Sequence, residues 1–358
     1  MKPEQDKLVF ISLTNGAGGA EQVLYMISQL NQSPFLFLKK ENKSSLKIED
    51  ENRNVKYLNS RSIFIGFLTL LPQLYRFRNG YTIISSHSYL NAYLGFLKRI
   101  GYLRSNLVVR ESTSIFNRYK GVKRLSYSLA YKIGYPAVSL IVCQTNEMRE
   151  QLIKSNRFLS PARVIVLDNP IDISLVTEKS NNQIDDPILG TNYVCTAGRL
   201  MPIKGYEGLI KAFKIISDKY KDLNLVILGE GDERQNLANL ATSLGLAKRV
   251  ILRGFVDNPY PYFKNAKLCV VSSIREGFPN VLLQMMALNT NVVSTLCADG
   301  IKEIKSIHTI PINDVDKMAF ALDIQLAGEK ISVAEYNFSF FKERNPQIFL
   351  NSILIKIR

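Results

Sequence analysis

Two Rossmann-like domains of the α/β class, facing a central cleft, are the architecture that this sequence predicts. Short apolar segments alternate with longer amphipathic ones, which is the pattern of parallel β-strands joined by α-helices. The chain has 358 residues, 46% of them apolar, and this length exceeds one ordinary hydrophobic core. A polar stretch from residue 173 to 191 separates two such alternating series, so we expect two domains.

The first series contains short apolar runs, as parallel strands covered on both faces require. We predict strands at Leu8–Leu13, Phe35–Leu38, Val55–Leu58, Tyr81–Ser85, Asn106–Val109, Val138–Cys143 and Val164–Leu167. Helices are predicted between them, among others at Ala20–Leu30, Ser62–Phe77, Leu125–Ile133 and Glu147–Ser155. This order describes a first domain over residues 1–172.

The second series predicts a smaller domain of the same type over residues 192–332. Its strands are predicted at Tyr193–Thr196, Leu225–Leu228, Val250–Arg253, Leu268–Val271 and Val292–Ser294. Helices are predicted at Gly208–Lys219, Glu233–Leu244 and Asn280–Leu288. The tail, residues 333–358, has a helical pattern without a strand partner, and we expect it to pack back on the first domain.

The cysteine and histidine content limits the chemistry. The four cysteines are far apart and show no metal-binding spacing, and Cys143, Cys195 and Cys269 lie in apolar runs, so we expect buried, reduced thiols in a cytoplasmic protein. With His87 and His308 as the two histidines, a histidine zinc site is not expected. Residues 1–7 lack an apolar signal-peptide core, and the longest apolar run is too short to span a membrane, so we expect neither a signal peptide nor a transmembrane segment.

The positive charge of the chain is unevenly distributed. Of the net charge of +15, +12 falls in residues 1–172. Basic residues there flank apolar segments at 61–78 and 93–104, a combination that suits contact with an anionic membrane surface. Helices that cover a sheet also need an apolar stripe, so a purely structural interpretation stays open. Nucleic acid is a third partner for a basic surface, but no recognition motif supports it.

The segment Arg275-Glu276-Gly277-Phe278-Pro279-Asn280-Val281-Leu282-Leu283-Gln284 carries the strongest functional signal. An apolar strand runs into it and a helix runs out of it. A carboxylate therefore lies beside a helix N-terminus, at the strand end where open α/β sheets bind ligands. An ordinary βα loop with a surface glutamate would show the same sequence pattern. This segment alone therefore does not establish a ligand site.

A second motif supplies positive charge after the first strand of the second domain. It reads Ala197-Gly198-Arg199-Leu200-Met201-Pro202-Ile203-Lys204-Gly205. The guanidinium of Arg199 can contact two phosphate oxygens, and Lys204 adds a point charge, so this turn suits a diphosphate. Two solvated cations beside a glycine turn are the structural alternative.

Three weaker signals lie at other strand ends. Gly16, Gly18 and Gly19 follow the first strand, without the complete dinucleotide-binding fingerprint. Gly229 lies in Leu228-Gly229-Glu230-Gly231-Asp232-Glu233, a turn that helix capping alone would explain. His87 follows a predicted strand, where a structural role and a site role are equally compatible with the sequence.

Taken together, these motifs resemble retaining glycosyltransferases of the GT-B fold, the family 4 group also called glycosyl transferases group 1. The resemblance covers nearly the whole chain and is most specific from residue 192 to 305. It rests on Gly18-Gly19-Ala20-Glu21, Gly198-Arg199-Leu200 with Lys204-Gly205, Leu228-Gly229-Glu230-Gly231, Arg253-Gly254-Phe255 and Glu276-Gly277-Phe278-Pro279-Asn280, which occur in the family's order.

The resemblance implies a role for each motif. Arg199 and Lys204 would neutralise the donor diphosphate, while Glu276 would contact the donor sugar. His87 would line the sugar and acceptor side and count with these three as catalytic. The remaining donor-binding residues would be Gly16, Gly18, Gly19, Gly229, Phe255, Gly277, Phe278, Pro279, Asn280, Val281, Leu282 and Gln284. The family needs no bound metal for the diphosphate, which agrees with the missing Asp-x-Asp cluster.

One position departs from the family pattern. The family has a second glutamate at the position of Gln284, where it holds the ribose hydroxyls of the nucleotide. An amide can still accept and donate a hydrogen bond, but the charge-assisted bond is lost. We therefore expect weaker or altered nucleotide binding.

The resulting hypothesis is a retaining transferase that moves a sugar from a UDP-hexose or UDP-N-acetylhexosamine to a lipid-linked saccharide in surface polysaccharide synthesis (O-antigen or capsule). It would work in the cytoplasm, peripherally at the inner face of the cytoplasmic membrane, without a metal or other cofactor. A nucleotide-sugar epimerase and a non-catalytic binding protein on the same fold remain alternatives. An epimerase would act on the donor without an acceptor, whereas a non-catalytic protein would turn nothing over.

Overall fold

In the computed structural model, the described residues are 7–41, 46, 48, 54–58, 62–328 and 339–358. They form two compact units. The first comprises residues 1–170 and 344–358, and the second comprises residues 171–343.

The first unit contains a seven-stranded parallel sheet with the strand order β3-β2-β1-β4-β5-β6-β7. Its strands are β1 (Leu8–Thr14), β2 (Phe35–Lys39), β3 (Val55–Tyr57), β4 (Thr82–Ser86), β5 (Asn106–Arg110), β6 (Leu140–Cys143) and β7 (Val164–Val166). Its helices up to residue 170 are α1 (Gly19–Leu30), α2 (Ile63–Tyr75), α3 (Ser88–Arg99), α4 (Ile115–Arg118), α5 (Gly121–Gly134) and α6 (Asn146–Ser155).

Alternate residues of the central strand β1 enter two different cores. Val9 and Ile11 pack in the core under α2, α3, α5 and α6, whereas Leu8 and Phe10 pack in the core on the opposite face. Both sets are buried, because a parallel sheet covered on both faces has no solvated side. The strand is therefore continuously apolar, as its sequence predicts.

The second unit contains a six-stranded parallel sheet with the strand order β10-β9-β8-β11-β12-β13. Its strands are β8 (Asn192–Ala197), β9 (Leu223–Leu228), β10 (Val250–Gly254), β11 (Leu268–Val271), β12 (Val292–Thr295) and β13 (His308–Ile310). Its helices are α7 (Ile173–Ser180), α8 (Tyr206–Ser217), α9 (Arg234–Ser243), α10 (Tyr260–Asn265), α11 (Asn280–Leu288) and α12 (Val315–Ala327).

The polar segment 173–191, which we predicted to be a linker, is instead built into the second unit. It contains α7, which packs against α10 and α11. Asp186 accepts hydrogen bonds from Arg253 Nε (2.5 Å) and from the Tyr262 hydroxyl (2.6 Å). Polar composition suggested a linker, but these polar side chains bond to the domain that follows.

The strand β13 at the sheet edge is absent from the sequence-based prediction. It has three residues, and two of them are only half-buried, so it lacks the apolar run that marks the other strands. Pairing with β12 forms it nonetheless. All the strands that the sequence predicts are present in the structure, and their ends differ from the predicted ones by at most two residues.

The last helix of the chain, α13 (Pro346–Ile357), packs against α1 and β6 of the first unit. Phe349, Leu350 and Ile353 are buried there beside Phe10 and Leu24. The helix that we predicted within residues 333–358 is therefore present at Pro346–Ile357. Residues 333–338 lie outside the described part of the chain. All four cysteines are buried and free, as predicted.

Candidate active site

The strand order of each sheet puts the predicted site residues at a topological switch point. In the first unit the chain reverses its direction of winding between β1 and β4, and in the second between β8 and β11. Loops that leave the two central strands at their carboxyl ends diverge there and open a crevice. Gly16, Gly18, Gly19 and His87 lie at the first switch point, and Gly198 to Lys204 together with Glu276 at the second.

The centre of the second site is the contact between Lys204 and Glu276. Lys204 Nζ lies 2.6 Å from Glu276 Oε1, and the hydroxyl of Ser273 donates to the same oxygen at 2.8 Å. Both charged side chains are about one-fifth exposed, so they are partly shielded and still accessible. The structure thus brings together a cation and a carboxylate that are 72 positions apart in the chain.

Backbone contacts hold the two loops that carry this pair. Ile274 N–H donates to Ile203 O at 2.8 Å, and the Ser272 hydroxyl donates to Lys204 O at 2.8 Å. Gly205 has a φ of +66°, and a Cβ at this position would lie 2.1 Å from Ser272 O. A side chain at this position would therefore separate the loops and move Lys204 away from Glu276.

Arg199 lies on the same loop as Lys204 but is exposed. It follows Gly198, where a Cβ would approach the Tyr206 hydroxyl to 2.8 Å and Lys204 Cε to 3.4 Å. The Tyr206 hydroxyl is buried. The two cations are thus presented differently, Lys204 against a carboxylate and Arg199 towards solvent.

The glycine turn after β9 is shaped by backbone packing. A Cβ at Gly229 would lie 2.1 Å from Gly198 O, and one at Gly231 would lie 2.3 Å from Leu200 O. The expected explanation, capping by the acidic helix start, is wrong, since Glu233 at the N-cap of α9 makes no side-chain cap bond. The two glycines instead let the turn lie against the loop that carries Arg199. Phe255, beyond β10, is about one-third exposed.

The helix α11 begins at Asn280, directly after Gly277, Phe278 and Pro279, so its N-terminus lies in the Glu276 loop. The N–H of Leu282 donates to Pro279 O at 3.0 Å, so it is already engaged within the turn. The Leu282 side chain is also fully buried and packs in the hydrophobic core. Val281 and Gln284 are half-buried and lie one turn apart on this helix.

The thiol nearest to this loop is not a nucleophile. Glu276 N–H donates to Cys297 O at 2.8 Å. Burial, and secondarily the charge of Glu276, raise the pKa of the Cys297 thiol to about 12. The thiol is therefore protonated at neutral pH and cannot attack as a thiolate.

In the first unit, the structure places His87 against the glycine-rich start of α1. His87 Nε2 lies 3.0 Å from Oε1 of Glu21, which belongs to the first turn of α1. Gly18 is the N-cap of α1 and Gly19 its first residue, while the N–H of Gly16 donates to Thr14 Oγ1 at 3.2 Å. The histidine and the glycine loop therefore form one cluster.

Sequence reasoning did not give a role to Ser273, Glu21 or Arg110. Arg110 is the last residue of β5, and its buried guanidinium donates to Asn169 Oδ1 at 2.6 Å. The sequence signal for Glu21 was its place in Gly18-Gly19-Ala20-Glu21, and that for Arg110 was a charge at the end of an apolar strand. The partners are distant in the chain, so neither signal identified them.

The described residues show neither a metal-binding cluster nor a membrane-spanning helix. No group of three or more His, Cys, Asp and Glu side chains in this part of the chain is arranged to hold a metal ion. None of the described helices has the length and apolar character needed to cross a membrane. The expected independence of metals stays a prediction.

Comparison with known proteins matches the segment that carries the second site to a family model. Residues 179–325 match the model of the family described as glycosyl transferases group 1. This range contains Arg199, Lys204 and Glu276. Over this segment the chain is similar to the glycosyl transferases group 1 family. The family resemblance that the motifs indicated is thereby confirmed.

Two curated relatives within this group of matches have named activities. An N-acetylgalactosamine-N,N'-diacetylbacillosaminyl-diphospho-undecaprenol 4-alpha-N-acetylgalactosaminyltransferase of Campylobacter jejuni is 30% identical over 59% of this chain and 57% of its own. A UDP-Gal:alpha-D-GlcNAc-diphosphoundecaprenol alpha-1,3-galactosyltransferase of Escherichia coli is 25% identical over 78% of this chain and 73% of its own. The chain spans about half the length of several curated relatives that it matches.

Solved structures show the same fold. The HepE protein of Anabaena, in complex with UDP and glucose, matches with a TM-score of 0.82 and 18% identity, over 99% of both chains. The apo form of the lipopolysaccharide outer core galactosyltransferase WaaB matches with a TM-score of 0.67 and 15% identity, over 98% of both chains. With two parallel Rossmann-like sheets and these neighbours, the GT-B fold class is confirmed.

We predict that Gly205→Ala will destabilise the second unit and weaken its active site, because the added Cβ would collide with Ser272 O at a left-handed backbone position. The cost should be on the order of 1 to 3 kcal/mol, seen as a lower melting temperature. Gly208→Ala is the matched control, since Gly208 lies in α8 with no atom within 4 Å of its Cβ position. It should be neutral or stabilising. Equal melting temperatures for the two variants would contradict the close contact.

Proposed function

We propose that this protein is a glycosyltransferase that moves a sugar from a nucleotide-sugar donor to a saccharide acceptor. The observation that carries the proposal is the contact between Lys204 and Glu276 at the switch point of the second unit, within the segment that matches the family. The Lys204 ammonium can bind a phosphate, and the adjacent Glu276 carboxylate can accept hydrogen bonds from sugar hydroxyls. Such a pair fits both halves of a nucleotide-sugar.

Each charged group has a part in the proposed reaction. Negative charge grows on the departing diphosphate, and fixed cations aimed at that charge lower the barrier. Lys204 and the exposed Arg199 would supply these cations. The start of α11 would add its N-terminal dipole. Glu276, kept in place by the Ser273 hydroxyl, would accept hydrogen bonds from the sugar.

We propose a retaining reaction. The acceptor hydroxyl oxygen would bond to the anomeric carbon on the face that the diphosphate leaves. The bond from that carbon to the phosphate oxygen breaks, and the hydroxyl proton passes to the phosphate. The products are the glycoside and the nucleoside diphosphate, and no metal takes part. The family resemblance supports this mechanism, as do the α linkages stated in the names of both curated relatives.

The proposed donor is a UDP-hexose or UDP-N-acetylhexosamine. UDP is named in the HepE complex, and UDP-Gal in the name of the E. coli relative. The proposed acceptor is a lipid-linked saccharide of surface polysaccharide synthesis, since both curated relatives are named for undecaprenol diphosphate substrates. Enzymes with such acceptors must work where the lipid is.

We further propose that the first unit binds the anionic inner face of the cytoplasmic membrane. The helices α2, α3 and α5 cover the same face of its sheet. The outer side of α5 exposes Val122 (85%), Leu125 (70%) and Leu129 (58%), spaced as one stripe. The stripe lies beside exposed basic side chains, namely Lys120, Lys123, Arg124 and Lys132. Apolar side chains bordered by positive charge suit an anionic lipid surface.

The donor site is tested with a panel of nucleotide-sugars, using thermal stabilisation and slow donor hydrolysis as readouts. We expect UDP-sugars to raise the melting temperature, because a ligand that binds only the folded state stabilises it. In Lys204→Ala and Glu276→Gln, hydrolysis should fall by about 100-fold or more while the melting temperature without ligand stays similar.

A matched control for these variants is the second lysine and glutamate pair, Lys211 and Glu207. Their side chains are also 2.6 Å apart, but they lie on the exposed face of α8. Lys211→Ala and Glu207→Ala should keep wild-type hydrolysis. Stabilisation without hydrolysis would favour the non-catalytic alternative, and hydrolysis that survives Lys204→Ala would refute the site assignment.

Gln284→Glu tests the departure from the family pattern. Gln284 is half-buried on the same face of α11 as Val281. A carboxylate at this position would form a charge-assisted bond with a ribose hydroxyl, so donor affinity should be kept or increased severalfold. The affinity is measured by titration calorimetry with UDP. A large loss of affinity would show that Gln284 serves another role.

The membrane proposal is tested by co-sedimentation with lipid vesicles. We expect binding to vesicles that contain phosphatidylglycerol and little binding to phosphatidylcholine alone. The double change Leu125→Ser with Leu129→Ser should reduce binding at least severalfold, because it removes apolar area from the stripe. Phe320→Ser, at an exposed position of α12 in the second unit, is the control and should bind like wild type. Equal binding by the wild type, the double variant and Phe320→Ser would exclude the α5 stripe as the membrane-binding surface.

A further inference from the structure

His87 adopts a backbone conformation that a histidine rarely takes. It lies between β4 and α3 with a φ of 99° and a ψ of 114°, outside even the left-handed helical region. Residues in such conformations persist only where the surrounding structure imposes them. The backbone of His87 is therefore held in this conformation by its neighbours.

The neighbour in contact with the ring is Glu21. A nitrogen 3.0 Å from a carboxylate oxygen must donate a proton, so Nε2 of His87 carries a hydrogen. Nδ1 is buried and has no hydrogen-bond partner among the described residues. A proton on Nδ1 would be a buried donor without an acceptor, whereas a bare nitrogen there leaves only a weak acceptor unused. The contacts therefore favour the tautomer that carries its proton on Nε2.

Gly18 gives the Glu21 carboxylate the space that it occupies. A Cβ on Gly18 would lie 2.5 Å from Glu21 Oε2. Gly18 has a φ of −74°, which any residue can adopt, so its backbone conformation does not explain the glycine. The position of the Glu21 carboxylate explains the glycine, because a side chain at position 18 would collide with it.

Arg110 contributes the positive charge of this cluster. Burial lowers the pKa of the Arg110 guanidinium to about 10, and the nearby charges of Glu21 and Glu111 oppose that shift. Its Nη2 donates to Asn169, while Nε and Nη1 have no hydrogen-bond partner among the described residues. The charge of Glu21 is thus in contact with the imidazole and close enough to a buried cation to influence its pKa.

We propose that Glu21 is a positioning residue that holds His87 in the Nε2–H tautomer and in one ring orientation at the switch point of the first unit. On this basis, the segment Gly18-Gly19-Ala20-Glu21 positions a carboxylate beside a histidine that follows β4, the neighbour of β1 in the sheet. The hydrogen bond follows from the contacts of the first unit alone. Its consequence for sugar transfer rests on the function proposed above.

The hydrogen bond is tested by NMR on the full chain with ¹⁵N-labelled histidine. The chain has two histidines, so His308→Gln assigns the signals. We expect a slowly exchanging imidazole N–H on Nε2 of His87 and an unprotonated Nδ1. The N–H signal should be lost in Glu21→Ala and in Gly18→Ala, where the new Cβ displaces the carboxylate. It should persist in Glu21→Gln, because the amide oxygen can still accept. A signal unchanged in Glu21→Ala, or a proton on Nδ1 in the wild type, would overturn the proposal.

The kinetic test separates positioning from folding and from donor binding. In Glu21→Ala, kcat should fall by about 10-fold or more, with donor KM and melting temperature close to wild type. Glu21→Gln should recover part of kcat. Glu207→Ala, which removes a glutamate from the first turn of α8 as Glu21→Ala does from α1, should have no effect. Wild-type kcat in Glu21→Ala would overturn the catalytic part. If no nucleotide-sugar is turned over by the wild type, the proposed function fails, while the NMR result still decides the hydrogen bond.

Discussion

The second unit depends on how closely its βα loops approach one another at the carboxyl edge of the sheet. Gly205 lies against Ser272, and Gly229 lies against Gly198, at distances that leave no space for a side chain. These backbone contacts bring Lys204 to Glu276 from loops far apart in the chain. The same glycines that suggested a phosphate site thus have a structural task that precedes any ligand. A rigid loop edge of this kind allows charged groups to be held in place before a substrate binds.

The first unit organises its switch point with side chains. His87 Nε2 contacts Glu21 across the gap between β4 and α1, and the backbone of His87 has a positive φ that a histidine rarely adopts. Here the missing Cβ of Gly18 makes space for a carboxylate, whereas in the second unit the missing Cβ atoms make space for backbone. Two sheets of the same topology therefore position their polar groups by different physical means.

The layer of helices on the first unit combines two requirements that usually conflict. Its inner side supplies the core with residues such as Leu70, Leu94 and Tyr131. Its outer side leaves Leu125 and Leu129 on α5 exposed to solvent. Exposed apolar side chains do not contribute to folding, so a second apolar contact would explain them better than the sheet does. A membrane surface agrees with the positive charge around them.

The sequence by itself determined the strands other than β13, the order of the motifs and the choice of Lys204 and Glu276 as candidate residues, because a doubly covered parallel sheet needs apolar runs and binds ligands at the carboxyl ends of its strands. Only the tertiary structure decided that segment 173–191 is part of the second unit, that β13 forms the sheet edge and that Glu21 contacts His87. These features depend on partners distant in the chain. Asp186 looks like a linker residue until Arg253 and Tyr262 bind it, and composition carries no information about such pairings.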